Sequence, residues 1–159
     1  MNVENKPEKH IISASAIIPA RRERVYSLIS NYRDGHPRIL PKQFSNLTVE
    51  QGGVGAGTII RFQMSVFGKK QTFRAAITEP DPGRVLAETD LDTNGAITTF
   101  TVSPGTAPAD SSVTISTELR VRAGFLGKIE KTLSTWLLRP MYVKELENLA
   151  RVATGPFGW

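Results

Sequence analysis

His10 and His36 are the only histidines of a 159-residue chain that has no cysteine. Thiol catalysis, disulfides and cysteine-ligated metals are thereby excluded, and two histidines are a poor basis for a zinc site. No metal and no cofactor are expected. His36 follows Asp34 in the turn Arg33-Asp34-Gly35-His36-Pro37. A histidine beside a carboxylate can act as a base, but a turn residue of this kind is expected to face water, and His10 to start an exposed strand. Glu88 and Asp90 form a spaced carboxylate pair suited to acid–base work. The run Gly52-Gly53-Val54-Gly55-Ala56-Gly57 resembles a phosphate loop only in composition. It lacks the terminal lysine and hydroxyl residue and precedes a strand, so a turn or bulge is expected. The hydroxyls of Thr89, Thr98 and Thr117 could either hold a ligand or bond to one another across strands. Trp136 and Tyr142 carry polar tips on aromatic bodies suited to lining a pocket.

The elements that would position these groups follow from periodicity. His10 to Ile18 reads as a strand, and Ala20 to Tyr32, with Val25, Leu28, Ile29 and Tyr32, as a helix. Pro37 to Leu40 suits one short helical turn. Strands are expected over Phe44 to Gln51, Thr58 to Phe67, Gln71 to Thr78, Arg84 to Asp92, Ala96 to Ser103 and Val113 to Arg122. Short turn signals between them indicate an antiparallel meander. From Phe125 to Ala153, apolar residues recur at Ile129, Leu133, Trp136, Leu137, Val143, Leu146, Leu149 and Val152 with helical period. Pro140 lies inside that helix and is expected to kink it.

Turn geometry then predicts facing. A two-residue turn at Asn94-Gly95 pairs Thr89 with Phe100 and Ala87 with Val102. The connection from Glu79 to Gly83 sets Thr78 opposite Arg84, and a Gly68-Lys69 turn sets Met64 opposite Phe73. One face then carries Ile60, Phe62, Met64, Phe73, Ala75, Ile77, Val85, Ala87, Thr89, Leu91, Thr98, Phe100 and Val102, with Val113, Ile115, Thr117, Leu119 and Val121 from the last strand. The other carries Arg61, Gln63, Arg74, Glu88 and Asp90, with Arg74 opposite Glu88. On this reading the carboxylate pair is a surface feature and the covered face holds neither acid nor histidine.

The order strand, helix, helical turn, six strands and long helix resembles the helix-grip fold of the START-like (SRPBCC) superfamily, and within it the polyketide cyclase/dehydrase branch. The resemblance is carried by Ile17-Ile18-Pro19-Ala20, the stretch Val25 to Tyr32, and the turn His36 to Pro41. Gly57-Thr58, Thr78-Glu79-Pro80 and Glu145-Leu146-Glu147-Asn148-Leu149 carry the rest. It spans residues 10–153, between tails of residues 1–9, expected to be disordered, and 154–159. The fold it implies is α+β, a curved antiparallel sheet of about seven strands wrapped on the C-terminal helix, with a hydrophobic ligand between them. The fold alone selects no chemistry.

The formal charge is +5, with Lys and Arg scattered and no basic stripe or stacking aromatics, so no nucleic-acid partner is expected. The charged N-terminus and the lack of an apolar span predict a cytoplasmic protein. The segment from Arg122 to Lys128 sets apolar residues between bases, which suits either packing on its own helix or transient contact with an anionic membrane. The expected function is binding or transport of a hydrophobic molecule (lipid, quinone or polyketide) without catalytic residues. Its expected contacts are Phe62, Met64, Phe73, Thr89, Thr98, Phe100, Thr117, Trp136 and Tyr142. The alternatives are a cyclase/dehydrase-type enzyme using His36, Asp34, Arg38 or Tyr142, and a protein-interaction module that binds no ligand.

Overall fold

Apolar–polar alternation is realised in seven strands, β1 (Glu8–Ile18), β2 (Phe44–Gln51), β3 (Ile59–Val66), β4 (Lys69–Asp81), β5 (Val85–Asp90), β6 (Ile97–Pro104) and β7 (Ser111–Val121). Helical period is realised in α1 (Arg22–Ser30) and α2 (Gly124–Ala153), with a 3₁₀ turn at His36–Arg38. The structure is a computed structural model that describes residues 6–93 and 95–155. Strand β1 already begins at Glu8, inside the stretch expected to be a tail; residues 1–5, Asn94 and 156–159 lie outside the described residues.

All seven strands form one antiparallel sheet in the order β1-β7-β6-β5-β4-β3-β2. It is the α+β helix-grip arrangement: one sheet wrapped on one long helix. The core between them is built from Ile12, Ile60, Ile77, Leu86, Phe100, Val113 and Ile115 of the sheet, Val25, Leu28 and Ile29 of α1, and Tyr142, Leu146, Leu149 and Val152 of α2. The end of α2 is tied down by polar contacts. Arg24 Nε donates to the Ala153 carbonyl at 2.6 Å, satisfying an orphan acceptor at a helix C-terminus.

Two expectations need correction. The Asp81–Arg84 turn is tight, with Arg84 N–H donating to the Asp81 carbonyl at 3.0 Å, and β4 carries a bulge between Thr78 and Asp81. Pro80 sits in that bulge. It has no N–H to give a ladder, which is why the irregularity falls there. Thr78 therefore pairs with Ala87, not Arg84, and Ile77 with Glu88. The next connection is also wider than a two-residue hairpin. The last β5–β6 pair is Thr89 with Ile97, and the Asp90 carboxylate accepts from the Asp92 N–H and the Thr93 hydroxyl, stabilising a longer loop. An odd register shift exchanges the faces of a strand. Leu86, Glu88 and Asp90 consequently face α2, while Val85, Ala87, Thr89 and Leu91 do not. Arg74 is paired with Glu50 at 2.8 Å and Asp92 at 3.4 Å, not with Glu88. At the β3–β4 turn the pairs are Met64 with Gln71 and Phe62 with Phe73, an even shift that leaves the predicted face intact.

The second correction concerns α2. The residues it buries are Gly127 and then, from Met141 onward, Met141, Tyr142, Glu145, Leu146, Asn148, Leu149, Val152 and Ala153. Ile129, Leu133, Trp136 and Val143, expected on the inward stripe, are exposed. The helix runs through Pro140 unbroken.

Candidate functional site

A cavity of about 180 Å³ remains between the sheet and α2. Its apolar wall comprises Phe62, Met64, Phe73, Ala75, Phe100, Leu119 and Leu138, and its polar end is formed by His36, Glu88 and Glu145, with Thr98, Thr117 and Tyr142 beside them. Phe62 stacks on Phe73 with ring centroids 5.6 Å apart, giving the wall a flat aromatic surface.

His36 reaches the cavity because the chain after α1 folds sharply under the helix. The Asn31 carbonyl accepts from the N–H groups of Gly35 (3.0 Å) and His36 (2.7 Å), and its side-chain Oδ1 from Arg33 and Asp34 (both 3.0 Å). Gly35 passes so close to Leu28 that a Cβ there would lie 2.5 Å from the Leu28 carbonyl oxygen. The imidazole that follows is 2 % exposed, stacked on Tyr32 at 4.5 Å and edge-on to Phe100 at 5.5 Å. Its Nδ1 lies 2.7 Å from the Ile29 carbonyl. A carbonyl only accepts, so Nδ1 carries the proton. In the neutral ring Nε2 is then a lone pair, 3.6 Å from Glu88 Oε1 and 3.7 Å from Glu145 Oε1. The expectation that His36 faces water is corrected: the turn is buried by α1 and by Tyr32.

The glycine run that follows β2 is a bracing loop. Tyr32 N–H donates to the Gly53 carbonyl and Gly55 N–H to the Ser30 carbonyl, both at 2.9 Å. Gly55 has φ +67°, and a Cβ there would meet Glu79 Oε1 at 2.2 Å. This bracing fixes Tyr32, whose hydroxyl donates to Glu88 Oε1 at 2.5 Å. On the opposite wall Thr98 and Thr117 are cross-strand partners, their hydroxyls 2.7 Å apart, and Thr117 bonds to the Tyr142 hydroxyl.

Burial, with the charge of Glu88 adding to it, pushes the Glu145 carboxyl well above the usual carboxylate range. Among the described residues Glu145 Oε1 is buried without a hydrogen-bond partner, which disfavours its charged form further. Burial first, and then Glu88, push the Tyr32 phenol well up, and burial pushes the Tyr142 phenol up to about 12. The polar end thus places a carboxyl that favours its protonated form beside the His36 Nε2 and the Glu88 carboxyl.

Of the nine residues expected to contact a ligand, Phe62, Met64, Phe73, Thr98, Phe100, Thr117 and Tyr142 line this cavity. Thr89 stands on the other face through the register shift, and Trp136 is 69 % exposed on the outer side of α2. Among the alternative catalytic candidates, His36 and Tyr142 line the cavity, whereas Asp34 and Arg38 are exposed. The expectation of an inner face without acid or base is overturned. Glu88 was missed because the bulge was not read, although Pro80 inside a strand is its signal. Glu145 was missed although it lies four residues from both Met141 and Leu149, on the buried stripe of α2.

Comparison with known proteins agrees with this architecture. The family model described as "Polyketide cyclase / dehydrase and lipid transport" matches residues 9–154. No curated protein matches. Among solved structures, the KanY protein is 26 % identical, with a TM-score of 0.80 over 93 % of this chain and 99 % of its own. A START superfamily protein from Mycobacterium smegmatis is 17 % identical, with a TM-score of 0.73 over 91 % and 99 %. The Zhui aromatase/cyclase from Streptomyces sp. R1128 is 15 % identical, with a TM-score of 0.73 over 92 % and 94 %. With the helix-grip sheet, the long C-terminal helix and a family match over nearly its whole length, the chain belongs to the START-like polyketide cyclase/dehydrase and lipid transport family.

Proposed function

We propose that the protein binds a hydrophobic small molecule (a lipid, quinone or polyketide-like compound) between the sheet and α2, with Phe62, Met64, Phe73, Thr98, Phe100, Thr117 and Tyr142 as its contacts. The observation that carries this reading is the aromatic-walled cavity of about 180 Å³. A cavity of roughly 150 Å³ accepts a benzene-sized guest, so a single aromatic ring of a ligand has room here, and an interaction module with a solid core is disfavoured. A chain without cysteine is in keeping with a cytoplasmic setting.

The test is titration with an environment-sensitive apolar dye, alongside mass spectrometry of organic extracts from purified protein. Saturable uptake is expected for the wild type and for Trp136→Ser, and loss of uptake for Ala75→Phe, which fills the cavity. No uptake and no retained molecule, or equal uptake by Ala75→Phe, contradicts the proposal.

A second reading, cyclase/dehydrase-type chemistry, is favoured by one observation: the protonated Glu145, the His36 Nε2 lone pair and Glu88 converge on the cavity. In this reading Glu145 donates its proton to a substrate carbonyl oxygen. His36 takes a proton from the adjacent carbon, and Glu88 compensates the imidazolium that results.

A further inference from the structure

We propose that the outer face of the first half of α2, together with the tip of the β3–β4 hairpin, docks on an anionic lipid bilayer. This surface is separate from the cavity and does not depend on what the cavity holds. Phe125, Ile129, Leu133 and Trp136 follow one another at spacings of four, four and three residues, which places them on one face of the helix. All four are exposed, Phe125 by 77 %. The helix buries only Gly127 before Met141. Half of a 30-residue helix therefore presents apolar side chains to solvent while its other half builds the core.

The hairpin joins this surface. Phe67 is 62 % exposed and stacks on Trp136 with centroids 6.4 Å apart and planes 4° from parallel. Phe67 has φ +47° and Gly68 φ +77°, so both turn residues lie in the left-handed region. Asn, Asp or Gly is the usual first residue of such a turn, and a bulky aromatic there is an outlier. An unfavourable conformation that holds an aromatic ring out in solvent, against a second exposed aromatic, is explained by a partner for both rings.

Charge identifies the partner. Lys69 and Lys70 follow the hairpin tip, Lys128 lies between Phe125 and Ile129, and Arg139 lies one turn beyond Trp136. The nearby acids are engaged: Glu130 by Arg122 and Glu8 by Lys131. Apolar and aromatic residues flanked by bases are the make-up of a helix that lies in a headgroup layer. A second copy of this chain would bring the same bases against one another. Among the described residues no helix is long and apolar enough to cross a membrane, so the contact is with the surface.

The experiment uses the full chain carrying Trp159→Phe, which leaves Trp136 as the sole tryptophan of two. Vesicles of phosphatidylcholine, alone or with phosphatidylglycerol, are titrated at low and high salt. Expected are a blue shift of Trp136 emission and co-sedimentation only with phosphatidylglycerol, weakened by salt. Lys69→Glu/Lys70→Glu/Lys128→Glu is expected to lower the affinity by about tenfold or more. Phe125→Ser with Phe67→Ser is expected to do the same, with circular dichroism and apolar-dye uptake unchanged. Absence of binding at low salt, equal binding to pure phosphatidylcholine, or a dimer in solution that buries Trp136 overturns the proposal.

Discussion

Glu145 is the group whose chemistry departs furthest from its sequence context. Its carboxyl is raised by burial and by Glu88, so the folded chain holds this proton at pH values where the unfolded chain, with an ordinary carboxyl near about 4.3, has released it. The folded state then binds more protons than the unfolded state, and stability falls as pH rises from that value towards the raised one. Glu145→Gln removes the titration. Thermal unfolding against pH is expected to show wild type and variant converging below about pH 4 and the variant gaining on the wild type above it; parallel curves would contradict the raised carboxyl. The same variant decides the catalytic reading. Wild type is expected to accelerate deuterium exchange of a cavity-bound aromatic 1,3-diketone and Glu145→Gln to lose this, whereas wild-type exchange at the buffer rate removes that reading. At this scale the sequence was legible where alternation was unbroken, as for Phe62, Phe73, Thr98 and Thr117. It was not legible for Glu88, whose facing depends on one extra residue in a neighbouring strand, nor for His36, which the turn under α1 tucks against Tyr32 and Phe100.

At the scale of elements, the site exists because a short turn is forced under α1. Gly35 makes that possible, since any Cβ would press on the Leu28 carbonyl, a backbone atom held in the helix. Gly35→Ala is expected to cost about 1–3 kcal/mol, the usual range for inserting a methyl group where there is no room, and to weaken dye binding as His36 is displaced. An unchanged melting temperature with unchanged dye affinity would show that the turn accommodates the methyl. Existence and order of all seven strands and both helices were readable from period and turn residues. Two connections were not: Pro80 moves its irregularity into β4, and Asp90 stabilises a loop where a two-residue hairpin was expected. The face of α2 was also misread at Ile129, Leu133, Trp136 and Val143. Its apolar residues recur with helical period whether they meet a core or a partner, and period alone does not say which.

For the whole molecule, the sheet wraps on one helix and the two do not close everywhere, leaving an aromatic wall opposite a buried acid end. This central claim, that the space is a ligand site, is tested most directly by the methionine methyl groups. Met64 lines the cavity and Met141 is packed in the core at 1 % exposure. In a sample labelled at methionine methyl carbons, titration with an apolar aromatic compound is expected to shift the Met64 resonance saturably, in step with dye displacement, and by more than the Met141 resonance. A Met64 resonance that stays fixed while the compound binds would put the ligand elsewhere and contradict the account.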